Sequence, residues 1–355
     1  MSTAELPPRR SLPARLLLPL RWLARAGWVL LRFLFRFLLV SWGTLAIYYS
    51  NLPWYGARVA LAGAFLVFAV WVLWIARRRQ PYLAFAALYL AVIGWWILIP
   101  PSHDRPWRPP VAVLPKAIIN GDHVRLINFR HFDYRSRDDF TERYEERDVD
   151  ISHLTSMDLF ISYWKIGPIG HTFVSFNFDN APPVCISIET RPEIGESYQP
   201  IASLFKQFEL FYAVGDERDL VRLRTDYRDE EVFMYPILTS RENAQALFRV
   251  YLKRINEIAD RAEWYHLLSD SCTINIVRYA NKVGRTGGFD IRLLLNGFTD
   301  RYLYSTGRVN TTIPFEELRR RSRITEVSKQ AGNAPDFSQR IRAALPVSDP
   351  SAAGR

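Results

Sequence analysis

The sequence predicts an α+β domain carried behind three N-terminal membrane-spanning helices. Three observations predict it: long apolar runs fill the first hundred residues, the composition changes abruptly after them, and the remainder mixes strand-like alternation with helix-like stripes.

A span needs roughly 20 mostly apolar residues to cross a hydrocarbon core of about 30 Å. Three segments qualify: Phe33 to Tyr49, Val59 to Ala76 and Tyr82 to Ile99. The second and third contain no charged residue. Arg32 and Arg36 lie at the start of the first, where long stems can return their guanidinium groups to water. Trp54, Trp95, Trp96 and Tyr48 suit an interfacial belt or packing between helices. Arg9, Arg10, Arg15, Arg21 and Arg25 precede the first span, and Arg77, Arg78 and Arg79 fill the second loop, whereas the first loop holds Arg58 alone. By the positive-inside rule, the N-terminus and second loop are expected in the cytoplasm of a bacterial inner-membrane protein. An odd number of spans then exports everything after Pro100 to the periplasm. Long, repeated apolar runs with no small-residue cleavage site argue against a cleaved signal peptide.

Charge follows the same division. Residues 1–110 hold 13 Arg, no Lys and two acids, Glu5 and Asp104, so their +11 exceeds the chain's total of +10 and the remainder carries about −1. The basic excess belongs to the membrane part, so a nucleic-acid partner is not expected and the lipid bilayer is.

The expected organisation is a membrane domain over 1–100, a Pro-rich linker over 101–115, an α+β domain over 116–345 and a disordered tail over 346–355. The linker contains PPSHDRPWRPP, whose prolines favour an extended spacer. Within the domain, strands are expected at Val124–Phe129, Met157–Trp164, Thr172–Phe178, Val184–Thr190, Leu220–Thr225 and Val232–Ile237, where β-branched and aromatic residues partly alternate. Ser240 to Ala262 reads as a helix with Leu247, Val250, Tyr251, Ile255 and Ile258 on one stripe, opened by a capping box of Thr239 and Glu242. A second helix is expected from about Cys272, with Ser269, Asp270 and Ser271 as N-cap choices. The mixed-charge run Arg135 to Asp150 reads as a solvated surface.

Reactive groups are few: two Cys and six His, with no HExxH, CxxC, P-loop or GxSxG. His171 opens a strand in GPIGHTFVSFNF, and Cys272 opens a helix in WYHLLSDSCTINIVRYAN. A helix N-terminus favours a thiolate, and a His within reach would complete a thiol nucleophile, with the Cys272 N–H helping to hold an oxyanion. A third group should orient the imidazole. Alternation puts Cys185, Ser187, Glu189 and Arg191 on one face of the next strand, so Glu189 or Ser187 is the candidate. Plainer readings stand beside this one. Cys185 and Cys272 could form a disulfide, His171 could be structural, His266 could cap or cover the helix, and His131 and His153 read as surface residues. No spacing supports a metal site, and no cofactor motif is present.

The blocks NFRHFDYRSRDDFTERYEERDVDISHL, DLFISYW, GHTFVSF, CISIETRPEIGESY, FELFYAVGDERDLVRLRT and EWYHLLSDSCTINI follow one another in order. From about Val124 to Lys282 the chain resembles the bacterial periplasmic family that includes the N-terminal domain of Lnb, the lipoprotein intramolecular transacylase. The resemblance implies a circularly permuted relative of the NlpC/P60 and papain-like thiol enzymes, with a central antiparallel sheet and the His strand ahead of the Cys helix. His171 and Cys272 match the family's two catalytic positions. The family usually has Asn-Cys-Thr-Thr around the nucleophile, where this chain has Ser271, Cys272, Thr273 and Ile274.

The resemblance further implies acyl transfer through a thioester, with a lipoprotein or phospholipid as the acylated substrate. A cell-wall amidase or peptidase and a non-catalytic envelope scaffold are the alternatives. The sequence sets neither the acyl donor and acceptor nor an oligomeric state.

Overall fold

The structure, a computed structural model, describes residues 14–284, 290–343 and 345 and divides into two units, 1–100 and 101–355. Arg9 and Arg10 lie outside the described residues, as does the tail expected at 346–355.

The first unit consists of α1 (Ala14–Tyr48), α2 (Tyr55–Val70), prolonged by a π turn over Trp71–Ile75, and α3 (Arg79–Leu98). All three helices are long and apolar enough to cross a membrane. The first runs well past the Phe33 start expected from hydropathy, because Arg32 and Arg36 interrupt the apolar run without breaking helical geometry. Their guanidinium groups lie over the rings of Trp28 and Trp74. Gly43 admits the Phe65 ring, which a Cβ there would meet at 2.6 Å. Phe65 in turn packs beside Phe85 and Tyr89. Trp96 packs edge-on to Trp42 with centroids 5.6 Å apart and Tyr48 edge-on to Tyr55 at 6.3 Å, so these two of the expected belt residues join helices.

The second unit begins with a one-turn helix, α4 (Pro109–Ala112). Strands β1 (Lys116–Asn120) and β2 (His123–Arg130) follow, then the short pair β3 (Asp133–Tyr134) and β4 (Phe140–Thr141). Next come β5 (Tyr144–Asp150), β6 (Leu154–Tyr163), β7 (His171–Phe178), β8 (Val184–Arg191) and β9 (Glu209–Gly215). A helical stretch, α5 (Glu217–Leu220) and a π turn (Leu223–Tyr227), leads to β10 (Glu231–Pro236). The long α6 (Arg241–Asp260) and α7 (Cys272–Val283) precede five short helices: α8 (Ile291–Leu294), α9 (Thr299–Ser305), α10 (Phe315–Ser322), α11 (Thr325–Ala331) and α12 (Phe337–Ala343). This is a mixed α+β unit.

One eight-stranded sheet organises it, in the order β1-β2-β9-β8-β7-β6-β10, with β5 also paired to β2. All pairings are antiparallel except β2 with β9, which meet at Arg130 and Gly215. Gly215 is required there, since a Cβ would lie 2.5 Å from the Arg130 carbonyl oxygen. Alternation then sorts the two faces. Phe160, Phe173, Cys185, Phe211, Ala213, Val232 and Met234 share a core with Ile324, Ala331, Phe337 and Ile341 from the C-terminal helices. On the opposite face, Phe176 packs tilted against Phe248 and edge-on against Tyr251 of α6, and Thr172 bonds Thr273 of α7.

Several expectations change. Residues 101–115, expected as a spacer, pack into this unit: Val111 enters the core, and Trp107 bridges Glu193 and donates through its indole to the His103 carbonyl. Leu220–Thr225 is helical, because Glu217, Leu220, Val221, Arg224 and Thr225 are buried at helical spacing and Asp216 caps the start by accepting from the Arg218 N–H. The cap of α6 is Ser240, accepting from the Asn243 N–H, so the expected Thr239 box is displaced by one residue. Strand β9, not expected, is buried at every position and lacks the alternation used to find strands. The charged run from Arg135 carries β5, an edge strand exposed on one side.

Arg130 and Asp219 are buried together, with Nε and Nη2 donating to the carboxylate at 2.9 and 2.8 Å and the Phe132 N–H adding a third bond. This pair pins α5, and so the π turn after it, to the sheet. Asp219→Ala would leave Arg130 charged and buried without its counter-ion, a loss of about 3–5 kcal/mol. Thermal unfolding of the full chain in detergent should show a markedly lower midpoint, and an unchanged midpoint would show that the pair does not hold this segment.

Candidate active site

His171 is the first residue of β7 and Cys272 the first of α7, and the two side chains meet at one end of the sheet. The chain reaches His171 through a tight turn. The Gly170 N–H donates to Asn296 Oδ1 at 2.8 Å, and a Cβ on Gly170 would stand 2.9 Å from the Ser162 carbonyl oxygen. The Asn296 loop is locked to the same turn: the Gly297 N–H donates to the Pro168 carbonyl, Tyr163 donates to the Gly297 carbonyl at 2.6 Å, and a Cβ on Gly297 would fall 2.1 Å from Gly167 O. Only glycine fits that position.

Cys272 is 3% exposed. Burial by itself pushes its thiol up, but the charge and hydrogen bond of His171, joined by the hydroxyl and N–H of Thr172, outweigh it and bring the pKa down to about 6. Position adds to this, because the sulfur sits at a helix N-terminus, where the dipole favours negative charge. Asn296 Nδ2 lies 3.7 Å from Sγ, with its amide oriented by the bond from Gly170, and the Thr273 hydroxyl lies at 3.9 Å. The expected N-cap residue Ser271 makes no side-chain cap bond.

On the other side of the ring, His171 Nε2 is 2.7 Å from Ser187 Oγ and 3.9 Å from Glu189 Oε1. With Nε2 engaged there, Nδ1 is the nitrogen left for the thiol. Arg224 stands behind both partners, donating to Glu189 Oε1 at 2.8 Å and to Ser187 Oγ at 3.3 Å. It is buried over the Phe173 ring and pairs with Glu230 at 3.6 Å, which accepts from Ser162 in turn. Burial pushes the Glu189 carboxyl up, but Arg224 first and His171 next outweigh it and hold it well below the usual carboxylate range. Glu189 is therefore ionised, and Ser187 is the direct hydrogen-bond partner of the imidazole.

All four expected site residues, Cys272, His171, Ser187 and Glu189, thus come together. Cys185 does not join them: it is buried in the core of the sheet, burial pushes its thiol up, and both cysteines are unpaired. His266 is bonded to Ser269, His131 lies beside Asp216, and His153 is paired with Asp179 at the surface. Sequence reasoning missed Arg224, Asn296 and Thr172. A buried Arg on the helical spacing of residues 217–225 was a signal for the first, while Asn296 carried none. Among the described residues, no group of three or more His, Cys, Asp or Glu is placed to hold a metal.

Residues 140–297 match the family model described as the Lnb N-terminal periplasmic domain, and this stretch contains each of the site residues just described. No curated protein and no solved structure matches the chain.

The low thiol pKa has a direct consequence. The rate of Cys272 alkylation should rise with pH to a plateau with an inflection near 6, and in His171→Ala the inflection should move up past the ordinary thiol value of about 8.5. An inflection unchanged by His171→Ala would show that the imidazole does not carry the shift.

Proposed function

On the likeness of residues 140–297 to the Lnb domain, we propose that this chain is a membrane-anchored periplasmic thiol acyltransferase or acyl hydrolase. Its substrate would be a lipidated molecule of lipoprotein or phospholipid type. The observation that carries the reading is a buried Cys272 with its pKa lowered by His171, at the start of a helix inside the matched stretch. The fold relation that accompanies it is a permuted NlpC/P60-like, papain-like arrangement, in which the His strand precedes the Cys helix.

The chemistry runs in two halves. The Cys272 thiolate attacks an ester carbonyl carbon, forming a C–S bond and placing negative charge on the carbonyl oxygen, for which the Cys272 N–H and the Asn296 amide, 3.7 Å from the sulfur, are the candidate donors. Collapse breaks the ester C–O bond, and the His171 imidazolium gives its proton to the departing alkoxide, leaving a thioester. An incoming amine or water then loses a proton to His171 as it attacks the thioester carbon, and the thiolate leaves. The acyl group has moved from oxygen to nitrogen or to water, with no oxidant or metal required. Ser187 holds the ring, and ionised Glu189 stabilises the imidazolium at each half-step. The three N-terminal helices would tether the domain to the membrane in which such acyl chains remain, with residues after Pro100 on the periplasmic side.

Lipid and lipoprotein mass spectrometry comparing wild type with Cys272→Ala should reveal an acylated species that disappears or accumulates. On that substrate, Cys272→Ser should lose activity by about 10³-fold or more, and His171→Ala should lose nearly as much, with the double variant scarcely worse. Ser187→Ala and Glu189→Gln should cost less, on the order of 10²-fold. Full activity of Cys272→Ser would end the thiol-enzyme reading.

Topology is checked separately with compartment-specific reporters fused after Asn51, Arg79 and Ala343. The expected signals are periplasmic, cytoplasmic and periplasmic in that order, and a cytoplasmic signal at Ala343 would overturn the export of the domain.

A further inference from the structure

We propose that three loops beside the Cys272–His171 site form an apolar platform that dips into the headgroup and upper acyl region of the bilayer. Among the described residues of the second unit, ten large apolar side chains are exposed, and seven of them lie in the segments 164–169, 194–201 and 268. These segments lead into His171, follow Arg191 and lead into Cys272. They are physically joined: Trp164 stacks on Tyr198 with centroids 6.3 Å apart, and the Leu267 N–H donates to the Ser203 carbonyl at 3.4 Å.

Single exposed apolar residues are ordinary, but seven gathered on the segments that flank His171 and Cys272 are not. Their composition indicates what covers them. Trp164, Ile166, Ile169, Tyr198, Ile201 and Leu268, with Lys165 exposed among them, combine amphipathic rings, bulky aliphatic groups and a cation, the mixture that settles at a membrane–water boundary. Covalent connection selects the same occupant. Only Ile99 and Pro100 separate the last residue of α3 from the second unit, and the Ser102 N–H is already bonded to Glu209 Oε1 at 3.1 Å. At about 3.5 Å per residue, the folded unit starts within roughly 14 Å of the helix end. The platform adjoins this tether, since the Ile194 N–H donates to the Pro106 carbonyl at 2.7 Å, so the tether raises its effective concentration at lipid.

The platform deepens the proposed function by giving acyl chains a route to Cys272, and it rests on that reading only for this use. Its test does not depend on turnover. In the full chain carrying Cys272→Ser, nitroxide labels are placed singly at Ile166→Cys, Leu268→Cys and, on the β1 hairpin, Ile118→Cys. The protein is reconstituted in nanodiscs of phosphatidylethanolamine and phosphatidylglycerol, and collision with oxygen is compared with collision with a water-soluble nickel chelate. The expected ratio of oxygen to nickel accessibility at positions 166 and 268 is at least several-fold above that at 118. Ratios equal to that at 118 overturn the proposal, and so does protection from both reagents, which would mean a protein cover. The unaltered wild-type chain provides a second reading. A phospholipid bearing a diazirine on its upper acyl chain should crosslink to peptides containing 164–169 or Leu268, and crosslinks confined to α1–α3 would overturn the platform. Lipid contact in an inactive enzyme would leave this proposal standing without the acyl-transfer reading, and water-exposed loops in an active one would leave the converse.

Discussion

The constraint on which the site depends is the burial of a sulfur that must carry negative charge. In an apolar interior Cys272 would hold its proton far above neutral pH, as Cys185 does in the core of the sheet. The surroundings of Cys272 are arranged to reverse that outcome. The helix starts at the sulfur, the first residue of β7 supplies an imidazole, and the next residue supplies a hydroxyl and an N–H. The imidazole in turn must be held in place, and Ser187 Oγ at 2.7 Å does so with the ionised Glu189 at 3.9 Å behind it. A half-buried carboxylate needs its own counter-ion, so Arg224 is buried beneath it. Charge compensation thus propagates from α7 through β7 and β8 to the π turn, and each of these elements is placed by the need of the one before.

Much of this was legible in the sequence, and the parts that were not share a cause. His171 and Cys272 announce themselves because both follow local breaks, a Gly-rich turn and a Ser-Asp-Ser run, at the start of regular elements. Ser187 and Glu189 follow from alternation once β8 is identified. Arg224 was hidden because Leu220–Thr225 contains enough β-branched residues to imitate a strand, and because a buried Arg is visible only when its partners from a distant strand are known. Strand β9 was hidden for the opposite reason: buried on both faces, its Leu-Phe-Tyr-Ala-Val run has no period to detect. Asn296 reaches the sulfur across 24 positions of chain, a juxtaposition set by the close contact of Gly297 with Gly167.

Proline content misled in a similar way. The segment after Pro100 has the composition of a spacer, yet its prolines confine the backbone so that Trp107 and Val111 can be buried at little further entropic cost. Arg191 shows why that packing is firm: its guanidinium is buried over the Trp107 ring and donates to the carbonyls of Val111 and Ala112. The segment is the first layer of the folded unit.

The last described helix has a different kind of consequence. Arg342 of α12 donates to Asp158 of β6, Glu217 of α5 and the side-chain amide oxygen of Asn177 of β7, while Phe337 and Ile341 fill the core beneath. Until residue 342 has been delivered, Asp158 and Glu217 have no cation, and the core on that face of the sheet lacks Phe337 and Ile341. These ion pairs therefore join β6 and α5 to a helix 184 and 125 residues later in the chain. In a chain threaded vectorially through a translocation channel, Asp158 and Glu217 would meet their native counter-ion only after α12 had emerged.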